Sequence, residues 1–382
     1  MDFDDTPDEA AWRAEVRAFL TAHRDEHAAD PRAWQALLYD AGFVGVTWPA
    51  DAGGRGGTPM QQAIVDQETA RLGLPALINL IGIGMCGPTV IVHGSDDQKR
   101  RYLKRLLRAD DLWCQLFSEP AAGSDLAALR TRAVRDGNGG WRVTGQKVWT
   151  TLAHLADYGI LLTRTNADVP KHRGLTMFVV DMKAPGVTVR PLRQMNGESH
   201  FNEVFFDDVA IPDTERLGEP GQGWTVALTT LMNERLSLGG GGTGVGAKPE
   251  TVARHVAERI GGLSPDRQVL ARQQLGRGYV AALGARYTGY RQLSRISHGE
   301  LPGPEASAGK LSGTRSARDL ADLAVRVLGE DAAVAGGTWQ NLQAVLPGMA
   351  IAGGSDQVLR NIIGERVLGL PAEPRVDKGA PA

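Results

Sequence analysis

Apolar residues recur at helical spacing in the first part of the chain. Trp12, Val16, Phe19 and Leu20 fall on one face of a helix. Its start is marked by Thr6-Pro7-Asp8-Glu9, a capping box with proline at the first helical position. A second helix begins at Asp30-Pro31, carries Trp34, Leu37, Leu38 and Ala41 on its apolar face, and stops at Gly42. Thr58 with Gln61, and Ser95 with Gln98, repeat the capping pattern ahead of further helices. Between about 113 and 215 the period becomes that of strands, with short runs at 141–144, 160–163, 176–180, 187–189 and 204–206. Turn signals such as Asp136-Gly137-Asn138-Gly139 and Ala184-Pro185-Gly186 separate them. From about 219 the helical pattern returns, broken near Gly261-Gly262 and by the loop 299–304. The tail past Leu370-Pro371 is rich in proline, glycine and charge and is expected to be disordered. The pattern predicts an α+β, mainly helical chain: an N-terminal helical domain over 1–112, a small antiparallel β domain over 113–218, and a C-terminal helical bundle over 219–382.

Composition narrows the function. A chain of 382 residues with 42% apolar content has ample material for two or three cores. A formal net charge of -2 gives no reason to expect nucleic acid or an anionic membrane as a partner. Two cysteines, Cys86 and Cys114, suit a reducing compartment better than a disulfide framework. With no leader-like start and no run of about 18 apolar residues, the expectation is a soluble, cytoplasmic protein. Two glycine runs, 82–87 and Gly239 with Gly241 and Gly244, match a dinucleotide fingerprint only weakly, because neither sits between a strand and a helix. They read as close helix packing. His23 and His27 share a helix face, but nothing completes a metal site around them.

Two stretches carry chemistry. Phe117-Ser118-Glu119-Pro120-Ala121-Ala122-Gly123-Ser124-Asp125 joins short hydroxyls and small residues to a turn, which lets a backbone approach a phosphate or flat ring and donate to it. Gly145-Gln146-Lys147-Val148-Trp149-Thr150-Thr151 alternates and ends in an aromatic beside two hydroxyls, suited to stacking on a ring and bonding its rim. Together, and in their spacing, they resemble the flavin-binding segments of the acyl-CoA dehydrogenase family. The run 201–209 with Ile211-Pro212 and Gly221-Gln222-Gly223-Trp224 continues the likeness. The resemblance implies FAD as cofactor. It implies flavin contacts from Gln115, Phe117, Ser118, Ser124, Trp149 and Thr151, and from Ser355 and Gln357 near the C-terminus. Ser118 replaces the family's more usual threonine and keeps the hydroxyl, and Ser124 can also face the substrate's thioester. The segment 302–307 before Lys310 resembles a subgroup of the family and has no mechanistic account.

The implied reaction is α,β-dehydrogenation of an acyl thioester. A desolvated carboxylate takes the α-proton while hydride leaves the β-carbon for the flavin. At the commonest position for that carboxylate this chain has Gly353. A second family solution places a glutamate before an arginine on a C-terminal helix, which makes Glu234 the candidate base, with Arg235 orienting it or the thioester. The bland alternative is a solvated helix pair, since adjacent residues on a helix do not face each other. Asp356 is the weaker alternative base. The glycines 239–242 cost roughly 1 kcal/mol each in a helix relative to alanine. They fit a pocket cleared for a bulky or branched acyl group, a helix break, or tight packing. The family's Arg-x-x-Phe-Gly segment finds no clear match around 260–275, where Leu263-Ser264-Pro265-Asp266-Arg267-Gln268 stands, and its Gln-x-x-Gly-Gly segment is poorly matched at 328–331 and 336–337. The adenosine half of the site is therefore weak or comes from another subunit.

The leading expectation is an acyl-CoA dehydrogenase of lipid metabolism, a homo- or hetero-tetramer acting on an acyl-CoA or acyl-carrier substrate and reoxidised by an electron-transfer flavoprotein. The alternatives are a non-catalytic or half-site partner subunit of a heteromeric enzyme, and a flavin oxidase or monooxygenase on the same fold.

Overall fold

The computed structural model describes residues 5–25, 30–239, 249–297, 303–304, 306–334 and 336–372. The chain forms two compact units, one of residues 1–194 with 198–234 and one of residues 195–197 with 235–382.

The first unit opens with helices α1 (Pro7–Ala22), α2 (Pro31–Asp40), α3 (Pro59–Leu72), α4 (Gly87–His93) and α5 (Asp96–Arg108). Complete capping boxes start α1, α3 and α5, at Thr6/Glu9, Thr58/Gln61 and Ser95/Gln98, where two orphan N–H groups are satisfied reciprocally. Trp12, Val16, Leu20, Trp34, Leu38, Leu103 and Leu106 bury the predicted apolar faces in one core. Inside it, Gln35 Nε2 donates to Leu107 O (2.8 Å), and Asn79 Nδ2 donates to Leu106 O (2.8 Å) and Asp111 O (3.0 Å). The 82–87 run is helical. Gly82–Cys86 forms a π-turn leading into α4, and a Cβ on Gly87 would run into the Trp48 ring. This is the close packing expected of it. His23 stacks on Phe19 at 4.2 Å, while His27 lies outside the described residues.

The strands are β1 (Trp113–Leu116), β2 (Arg132–Arg135), β3 (Gly140–Thr151), β4 (Tyr158–Arg164), β5 (Leu175–Asp181), β6 (Val187–Leu192), β7 (Phe201–Pro212) and β8 (Arg216–Leu217). They form one sheet in the order β6-β7-β3-β2-β4-β5-β8, with β1 against β4. Pairing is antiparallel except that β1 and the first residue of β2 run parallel to β4. The central strands are buried on both faces: Ile160, Leu162, Met177 and Val179 join the helical core, while Leu161, Phe178 and Val180 join a second core. Their continuous apolar runs follow from that. β1 and β2, which the sequence pattern does not mark as strands, complete the sheet.

Helix α6 (Gly223–Gly239) leaves the first unit at Glu234. The second unit holds α7 (Pro249–Ile260), α8 (Pro265–Ser297), α9 (Ala306–Leu328), α10 (Thr338–Met349) and α11 (Asp356–Arg366). Val252, Val256, Ile260, Leu320, Leu323, Leu342 and Leu346 form its core. Among the described residues no helix is long and apolar enough to cross a membrane. The predicted glycine run past Gly239 and the tail past 372 lie outside the described residues.

Candidate active site

Gln115 sits half-buried on β1, and the chain then leaves the sheet through Phe117 and Ser118. Ser118 O accepts from Val148 N at 2.9 Å, so this loop is stitched to β3. Glu119 and Ala122 exchange two backbone bonds of 3.0 Å, closing the turn. On β3 the register to β7 shifts between Lys147 and Thr150, a bulge whose residue Trp149 has φ +60°. Leu152 follows at φ +52°. Left-handed backbone at non-glycine residues costs on the order of 1 kcal/mol or more each. Here that conformation turns the Trp149 indole outward, 61% exposed and edge-on to Phe201 at 6.1 Å. Thr151 is half-buried, and the buried Thr150 hydroxyl has no protein partner.

Beneath this surface lies an arrangement that sequence reading passed over. Lys147 is fully buried, and its Nζ donates to Phe117 O and to Glu119 Oε1, both at 2.9 Å. The Glu119 carboxylate also accepts the N–H of Arg130 (2.6 Å) and Thr131 (2.8 Å), tying the far end of the loop to its start. Burial pulls the Lys147 ammonium down to about 8 against the attraction of Glu119. Burial alone would raise Glu119, but the Lys147 charge and the donated bonds outweigh it and hold the carboxyl below its ordinary value. Both groups are charged at neutral pH. A signal was available: Lys147 falls in phase with the buried Trp141 and Val143 on an alternating strand. Gly145 sits between them, and a Cβ there would overlap Thr131 Cα at 2.6 Å.

The structure thus brings Gln115, Phe117 and Ser118 beside Trp149 and Thr151. An exposed ring, free hydroxyls and a tethered loop form a donor set that fits a flat, polar-rimmed flavin. Ser124 stands apart on the exposed outer part of the turn, next to the Asp125–Lys171 ion pair (2.8 Å).

Glu234 is half-buried on α6, four residues past the buried Thr230 and therefore on the same side of the helix. That side packs on α4. Thr230 Oγ1 lies 2.8 Å from Thr89 Oγ1, and one turn away His93 Nε2 lies 2.8 Å from Thr229 Oγ1. Burial lowers the His93 pKa. The Arg235 side chain lies outside the described residues.

In the second unit, Gly353 (φ +67°) and Gly354 (φ +94°) make a bend into α11. Ser355 caps that helix by accepting from Val358 N at 3.3 Å, and Gln357 is exposed. Asp356 faces the Lys310 ammonium at 3.7 Å, and Lys310 donates to Gly354 O at 3.0 Å. On α8, the run Arg272-Gln273-Gln274-Leu275-Gly276 has leucine where the Arg-x-x-Phe-Gly pattern needs an aromatic. Arg272, Leu275 and Gly276 line, with Ala253, Ala257, Ile260 and Tyr279, a cleft of about 370 Å³.

Three family models match consecutive stretches of the chain. They are the acyl-CoA dehydrogenase N-terminal domain over residues 6–110, the middle domain over 114–209 and the C-terminal domain over 221–368. Acyl-CoA dehydrogenase FadE34 of Mycobacterium tuberculosis is 40% identical over 96% of this chain, which spans 48% of that relative's length. Acyl-CoA dehydrogenase IpdE1 of the same organism is 37% identical, covering 92% of this chain and 91% of its own. Among solved structures, the Tcur3481-Tcur3483 steroid ACAD superposes with a TM-score of 0.83 at 28% identity, covering 98% of this chain and 100% of its own. The loop and bulge that would hold a flavin, the helix–strand–helix order and these matches agree: this chain belongs to the acyl-CoA dehydrogenase family, whose members are FAD-dependent oxidoreductases.

Proposed function

We propose that this chain binds FAD and removes an α-proton and a β-hydride from a bulky acyl thioester, leaving the α,β-unsaturated thioester. The observation that carries the reading is the joined constellation of the Phe117–Ser118 loop and the Trp149 bulge, held by bonds from Lys147 and Val148. FAD, when bound, supplies the hydride acceptor. Trp149 and Thr151 flank the ring, and Gln115, Phe117, Ser118 and Ser124 contact the flavin or its phosphates. Ser355 and Gln357 are proposed as flavin contacts as well.

Glu234 acts as the base. Gly353 has no side chain with which to serve, and the Asp356 carboxylate is turned to Lys310. The half-buried Glu234 carboxylate takes the α-proton, and Arg235 orients it or the thioester. The likeness to a steroid ACAD supports a polycyclic or branched acyl group. The domain limits 1–112, 113–218 and 219–382, a tetrameric assembly, an electron-transfer flavoprotein as reoxidant and a cytoplasmic setting complete the proposal.

The test begins with the visible spectrum of the purified chain and continues with Glu234→Gln. The amide cannot accept the proton, so the variant should keep its flavin and lose substrate-driven bleaching by at least about 100-fold. Near-normal bleaching would remove Glu234 as the base. A chain that stays colourless with added FAD would point instead to a half-site subunit needing a partner.

A further inference from the structure

One buried charge has no part in the reaction as described. An apolar residue would fill the place of Lys147 without the desolvation cost of a buried ammonium, so packing does not account for it. Nor does the loop closure at Arg130 and Thr131, which the Glu119 carboxylate makes by itself. Besides pairing with Glu119 Oε1, the ammonium sits 2.9 Å from the Phe117 carbonyl oxygen, a contact that neither packing nor loop closure calls for.

That peptide is trans, and a planar trans peptide points its N–H opposite to its C=O. The Ser118 N–H is therefore directed away from Lys147. It donates to no described residue, whereas the neighbouring groups are engaged: Ser118 O with Val148 N, and Glu119 N with Ala122 O. The donor left for a ligand belongs to the amide whose carbonyl accepts from the charged Lys147 ammonium. Bonds in such a chain polarise one another, and a charged donor on the C=O makes the N–H at the other end of the amide stronger.

The geometry points to Lys147 as a positioning residue that acts through the Phe117–Ser118 peptide, fixing and strengthening the Ser118 N–H as a donor to the electron-rich edge of the flavin and favouring its more negative, reduced form. This rests on the flavin reading above.

The test compares the full-length wild type with Lys147→Gln and Lys147→Met. Kd for FAD is measured by titrating apoprotein, and the midpoint potential by spectroelectrochemistry. The ratio of reduced- to oxidised-flavin affinity should fall about tenfold in Lys147→Met, a potential about 30 mV more negative for a two-electron couple. Lys147→Gln, which keeps a neutral donor, should fall between. An unchanged potential in both variants, whatever happens to Kd, overturns the inference and leaves Lys147 a scaffold residue. If neither variant folds, the wild type is read across pH. The ammonium titrates near 8, while Glu119 against it and Arg164 beyond Glu119 keep their charges. The potential should then fall more steeply above about pH 8 than below it, and a uniform slope overturns the inference. Wild type that binds no FAD overturns the flavin reading and this inference together, a result distinct from bound FAD at an unshifted potential.

Discussion

Replacing Glu119 with alanine should be among the costliest single changes in the first unit. Lys147 has no solvent exposure and Glu119 only 8%, so Glu119→Ala leaves a buried ammonium without its counter-charge. It also strips the Arg130 and Thr131 N–H groups of their acceptor. Breaking a buried pair from one side costs about 3–5 kcal/mol. At roughly 2–4 °C per kcal/mol for a unit of this size, the melting temperature should drop by about 6–20 °C. The sign with pH follows from the carboxylate. Its folded pKa lies below the ordinary value, so the pair's contribution is present above the ordinary carboxylate range and is lost as pH falls through the folded value. Calorimetric melts at pH 7 and pH 4 should therefore show a larger deficit at pH 7. In the double variant Glu119→Gln with Lys147→Met neither charge remains, and its loss should be smaller than that of Glu119→Ala alone. A loss below about 1 kcal/mol in Glu119→Ala, or a double variant as damaged as the two singles added, would refute the reasoning.

Three other predictions follow from particular contacts. Glu68 is held at about 2, by bonds from Arg17 first and then Arg71 and Arg13 against the opposing pull of burial. The Arg17, Arg71 and Arg13 distances are 2.8, 2.7 and 3.3 Å. Its stabilisation is present above the ordinary value of 4.5 and disappears toward 2, so Glu68→Gln should destabilise at pH 7 far more than at pH 3 in urea titrations. Equal losses at the two pH values would count against this. Trp149→Ala should weaken FAD binding about tenfold in fluorescence titrations, the scale of a lost ring contact. The melting temperature should barely change, because the indole is 61% exposed. Gly87→Val should cost about 1–3 kcal/mol in chemical denaturation, since its side chain would meet the Trp48 ring.

Much of this protein was legible before any coordinates, because the signals are local. Capping boxes at Thr6, Thr58 and Ser95 need only the residue three positions on, and each is formed. The glycine stop at Gly42 and the turn around Asp136, whose carboxylate accepts from Asn138 N and Gly140 N, depend on backbone preferences within a few residues. The two motif runs and their spacing pointed to the family and so to the fold.

Other features depend on residues far apart in sequence, and only the tertiary structure decided them. Lys147 shares a strand face with Trp141 and Val143, but its partners Phe117 and Glu119 lie 30 and 28 positions earlier, where no local pattern links them. Gln35 and Asn79 are ordinary polar residues until α5, Asp111 and β1 present carbonyls and an N–H group to them inside a core. β1, 4 residues long, is not marked as a strand by the pattern and pairs in parallel with β4. The left-handed turn at Trp149 is unfavourable for the residue itself and persists because the β3–β7 ladder holds both of its flanks. Sequence specified what each segment prefers by itself. The folded chain decided where a preference was overruled, because burial makes every unpaired charge and hydrogen-bonding group find its partner across the structure.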